Sequence, residues 1–116
     1  MLTAGFVISG NATKRLLIRA VGPGLAPFGI ADRLADPQLG IVPLGRSEPI
    51  ATNDDWPNLA SLHAAFSAAG AFSFMPNSQD AALVISLEPG AYTVIVSGVS
   101  ATATGSALVE IYDLDP

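Results

Sequence analysis

Asn53-Asp54-Asp55 is the densest run of oxygen donors in the chain, and Asp36 and Asp80 are carboxylates that folding could bring to it. Calcium takes roughly six to eight oxygens, and loops at one end of a β-sandwich can supply them. The residues expected to hold a calcium ion are Asn53, Asp54, Asp55 and Asp80, with Asp36 as a further partner through space. The EF-hand spacing is not met, because no glycine and distal glutamate follow at the required positions. A structural reading stands beside the calcium reading. In it, Asp54 or Asp55 caps a following helix and Asn53 shapes the turn.

The remaining chemistry-bearing residues are scattered. His63 is the single histidine, set between Leu62 and Phe66 on a helical pattern. A Ser-His-Asp triad would need an activated serine, no Gly-x-Ser-x-Gly elbow occurs, and Ser61 and Ser67 read as helix-surface residues. Gly22-Pro23-Gly24 lacks the Gly-Lys-Ser/Thr ending of a phosphate loop, and its proline removes a backbone donor, so it reads as a turn. Trp56, the single tryptophan, could stack on a sugar or anchor a partner, or pack its indole over a sandwich edge. Arg15 and Arg19 share a strand face with Leu17, where they could pair with Glu110 or Asp113 or with an adjacent module. Glu48, Glu88 and Glu110 are too dispersed for a glycosidase pair to be read from sequence. No residue is assigned a catalytic role.

The elements that must position these groups are mostly strands. Leu2, Ala4, Phe6 and Ile8 alternate on one face of a first strand. Lys14 to Val21 follows after Ser9-Gly10-Asn11-Ala12-Thr13, and the two are expected to form an antiparallel hairpin. Gln38 to Val42 and Glu48 to Thr52 are shorter strands, the latter with Pro49 marking an edge. Asp80 to Leu87, Ala91 to Ser97 and Ser106 to Asp113 complete the set, the first two separated by Glu88-Pro89-Gly90. One helix is expected around residues 57-69, with Pro57 near its first turn, Leu59, Leu62 and Phe66 at helical spacing, and Gly70 to stop it. Turns at these intervals give one all-β domain over 1-116, a jelly-roll-like antiparallel β-sandwich. The helix is expected to plug one open end.

Half of the 116 residues are hydrophobic and 13% are charged, against about 25% in an ordinary soluble domain. No apolar run approaches the ~20 residues of a membrane span. Such a charge-poor chain is expected to cover surface with a partner, a copy of itself or a neighbouring module. Ten acidic residues stand against five basic ones, with no cationic stripe to follow a phosphate backbone, so nucleic acid is not an expected partner. Without cysteine, disulfides and thiolate chemistry play no part.

Several runs carry a resemblance. Leu2 to Gly10, Lys14 to Leu25, Ala35-Asp36-Pro37-Gln38-Leu39, Ile50 to Trp56, Asp80 to Leu83, Pro89 to Thr93 and Ala107 to Asp113 resemble a module of large secreted proteins from the Verrucomicrobia and related bacteria, often repeated in tandem. More distantly, Asp-Pro before a strand, Asn-Asp-Asp in a loop and Pro-Gly-x-Tyr before a strand are similar to bacterial pre-peptidase C-terminal domains. That resemblance implies a sandwich with an accessory role, sometimes with calcium, although here the helix after Asn-Asp-Asp lengthens the loop. The tandem modules imply a further segment ahead of Leu2, so a first strand supplied by another chain or a preceding module is expected. Together these readings point to a secreted or cell-surface, non-catalytic structural or adhesive module. Edge strands of its copies would pair, and fibres would result. The alternative is a carbohydrate- or matrix-protein-binding accessory domain that uses Trp56, Tyr92 or Tyr112.

Overall fold

The computed structural model describes Met1–Pro116. Its strands are β1 (Leu2–Ile8), β2 (Lys14–Val21), β3 (Pro37–Pro43), β4 (Ala51–Asn53), β5 (Ala81–Leu87), β6 (Gly90–Gly98) and β7 (Leu108–Asp113). A 3-10 turn covers Pro23–Phe28, and one helix, α1, covers Ala60–Ala69. The strands form two antiparallel sheets, β1-β6-β3-β4 and β5-β2-β7. The chain changes sheet at every connection between strands except β3 to β4, which is the jelly-roll-like pattern of a sandwich.

The expected hairpin of the first two strands does not form. β1 pairs with β6 (Leu2 opposite Val96, Ile8 opposite Gly90), whereas β2 pairs with β5 and β7 in the other sheet. The link Ser9 to Thr13 is an arch rather than a turn. It lacks the two-residue chemistry that fixes a hairpin, and its length suffices to cross the ~10 Å between packed sheets. The arch brings the apolar faces of both strands into one core. Ile8, Leu16, Ile18, Ala20, Leu39, Ile41, Ala81, Leu87, Val94 and Val96 form that core between the sheets.

A second core lies on the outer face of the three-stranded sheet. Leu17, Val21, Leu25, Trp56, Leu62, Phe66, Phe74 and Ala82 pack there under α1 and the segment that follows it. The helix is therefore a cover for a sheet face, not a plug for one end. The physical cause is the composition of β2, whose residues Leu16 to Val21 are all buried because each face meets its own apolar layer. Leu17, on the face it shares with Arg19, is covered by this chain's own helix layer.

Boundaries shift in two places. The strand expected at Glu48 to Thr52 is confined to Ala51–Asn53, and Pro49 lies outside it. The helix starts at Ala60, with Leu59 at the N-cap position and no side chain capping it, so neither Asp54 nor Asp55 serves as its cap. Gly70 ends it in the left-handed conformation (φ 73°), its N–H bonding back to Phe66 and Ser67.

Candidate functional site

Of the four expected calcium ligands, the fold brings Asp54 and Asp55 together and adds Asp36. Their carboxylate oxygens lie within 4.8 Å of one another. Asp36 stands immediately before β3, and Asp54 and Asp55 immediately after β4. The antiparallel pairing of Leu39 with Asn53 sets the two loops side by side at one pole of the sandwich. Burial, then the close approach of Asp54, then the charges of Asp54 and Asp55 push the Asp36 carboxyl above its ordinary value. Its Oδ2 accepts a bond from Gln79 Nε2 at 3.3 Å, while its buried Oδ1 has no partner. Three carboxylates can supply part of the oxygen set that calcium requires, so the donor chemistry fits a hard divalent cation.

Asp80 and Asn53 do different work. Asp80 is buried, and its Oδ1 accepts the N–H groups of Gly22 (2.8 Å) and Gly24 (3.0 Å) while Oδ2 accepts from Ser78 Oγ (2.7 Å). It fastens Gly22-Pro23-Gly24 to the start of β5 and is not one of the converging carboxylates. At Gly22 the packing leaves no room for a side chain, since a Cβ would stand 2.1 Å from the Leu34 carbonyl oxygen. Asn53 Oδ1 accepts the Ala82 N–H at 3.0 Å, and its Nδ2 donates to the Asp55 carbonyl, which ties β4 to β5.

Trp56 is 4% exposed. Its ring packs against Phe66, Phe74 and His63, and Nε1 donates to the Met75 carbonyl at 3.2 Å, so no sugar can stack on it. Tyr92 stacks on Phe6, and the Tyr112 hydroxyl donates to Glu110 Oε2 at 2.5 Å. Burial and that bond raise the Tyr112 phenol above its ordinary value. The His63 imidazole bonds through Nε2 to Asn58 Oδ1.

The most elaborate polar group is one that sequence reading placed only as a paired arginine. Arg19 is fully buried, donates Nε to Glu110 Oε1 at 2.7 Å and Nη1 to the Phe72 carbonyl at 2.6 Å. Its guanidinium lies over the rings of Phe66, Phe72 and Phe74, with 4.1 to 4.7 Å to each centroid. Arg15 makes no such pair. Asp113 stands opposite Leu16, on the Lys14 side of the alternation, and Lys14 Nζ takes it at 2.7 Å. That ammonium, through its hydrogen bond, holds Asp113 below its ordinary value.

The second candidate site is an edge. β1 ends the four-stranded sheet, paired on one side only with β6. It carries no charge and no proline, and Val7 is 73% exposed. Comparison with protein-family models, with curated proteins and with solved structures returns no match.

Proposed function

We propose that this chain is a non-catalytic extracellular structural or adhesive module that self-assembles into fibres through strand pairing at its open sheet edges. The observation that carries the reading is β1. An edge strand leaves half its backbone N–H and C=O groups without a strand partner, and soluble proteins ordinarily blunt such an edge with charge, proline or a bulge. Leu2–Ile8 has none of these devices. β4 is limited to three residues, and the first outward donor of β5 at Ala82 is already taken by Asn53.

Absolute molar mass by light scattering over a range of concentrations tests the reading. Mass that grows with concentration is the expected result. A monomer at every concentration overturns self-assembly.

One observation favours a matrix-protein partner as a second reading. A cleft of about 360 Å³ between the 3-10 turn and the segment after α1 is lined by Pro23, Pro27, Phe28, Phe72 and Met75. Phe28 and Met75 are largely exposed there. Its apolar walls suit an aliphatic or aromatic side chain of a protein better than a sugar. Binding of matrix proteins that Phe28→Ala abolishes would favour this reading over the first.

A further inference from the structure

We infer that β1 recognises itself: it pairs antiparallel with β1 of a second copy about a two-fold axis at Gly5, joining two four-stranded sheets into one. The inference rests on the assembly reading above and names its contact. In this register Leu2 falls opposite Ile8, Thr3 opposite Val7, and Ala4 opposite Phe6. The last pair sets a small side chain against a large one on the inward face. On the outward face two β-branched residues meet, a favourable cross-strand combination. Gly5 at the centre faces its own copy, so the axis itself carries no side-chain pair.

Charge rules out β7 for contact between copies, while β5, as free of charge as β1, has its Ala82 amide already bonded to Asn53. Each copy carries a net charge of -5, so two of them approach best where the edge itself has none. β7, the other long edge on this side of the sandwich, carries Glu110 and Asp113. The inward face at this side is also incompletely covered, since Phe6, Val109 and Ile111 pack on the core while remaining only partly buried. A neighbouring β1 extends the cover over them. The contact is isologous, so it closes a dimer, and growth beyond the dimer needs a surface other than β1.

A charge cycle tests the register. Thr3 and Val7 are exposed, so lysine at both leaves the monomer's core intact. Thr3→Lys with Val7→Lys places ammonium groups opposite one another across the axis and is expected to halve the dimer mass seen by light scattering. Thr3→Lys with Val7→Glu places opposite charges together and is expected to restore the dimer. Circular dichroism and Tm confirm that both variants fold, and amide exchange of β1 reads the contact directly, slowing on dimerisation. Association unchanged by the double lysine variant, with β1 amides exchanging fast, overturns this contact while leaving assembly through another edge. A wild-type chain that stays monomeric overturns the assembly reading itself.

Discussion

At position 19 a guanidinium is held inside an aromatic layer by one carboxylate, one carbonyl and three rings, with Nη2 left unpartnered. A buried ion pair adds little net stability, yet breaking it strands the remaining charge. Arg19→Met is therefore expected to cost about 3–5 kcal/mol in urea denaturation, because Glu110 loses its cation. Arg19→Met combined with Glu110→Leu is expected to recover most of that loss, as both charges are then gone. The acidic trio behaves in the opposite sense. Asp36 titrates above 3.8 when folded, so its contribution is full below 3.8 and is lost as pH rises through the raised value. Asp36→Asn is thus expected to be more stable than the wild type at neutral pH, with the difference vanishing in acid. Calcium supplies the missing counter-charge if the trio is its site. A rise in Tm with added calcium that Asp54→Asn removes assigns the ion there, and an unchanged Tm leaves the trio as repelling loop acids.

Among the elements, α1 carries the most consequence for its length. It contributes Leu62 and Phe66 to the outer core, and Phe66 also faces Trp56, Phe74 and the Arg19 guanidinium. Phe66→Ala removes one wall of the arginine box along with its own buried area, and a loss of about 3–5 kcal/mol is expected. Trp56 emission should shift to the red in the same variant, because the indole gains contact with water. The helix has no side-chain cap and no acidic residue in its first turn, so its stability comes from packing rather than from its own ends. The sharp turn before it in sequence, Gly22-Pro23-Gly24, is held from outside by Asp80. Proline cannot donate, and the two flanking glycine amides converge on one carboxylate oxygen.

For the whole molecule, β2 is the shared member of both cores, with Ile18 facing the opposite sheet and Leu17 facing α1. One strand thus couples the inter-sheet layer to the helical layer. Unfolding followed by Trp56 fluorescence and by far-ultraviolet circular dichroism is expected to give coincident transitions. Two separated transitions would mean that the outer layer melts alone. The same arrangement accounts for the low charge of the chain, since three layers of secondary structure bury apolar residues on both faces of the middle sheet.

The alternation of side chains in Leu2–Ile8, Lys14–Val21 and the last three strands depends only on the two-residue repeat of an extended chain, so these elements were legible in sequence within a residue or two. So was the Arg19–Glu110 pair, as one open alternative. A cluster of small turn residues says that the chain changes direction but not whether it returns to the same sheet, which is why the β1–β2 arch could not be told from a hairpin. The outer core had a signal that went unused: β2 is apolar on both faces except at Lys14, Arg15 and Arg19, and Phe72 and Phe74 follow the helix at alternate positions. Which carboxylates meet was decided by tertiary structure alone. Asp36 and Asp54 are brought together by the pairing of β3 with β4, whereas Asp80 faces inward to two glycine amides. Local sequence sets where side chains point, through backbone periodicity. Which of them become neighbours depends on strand order, and strand order is a property of the packed whole.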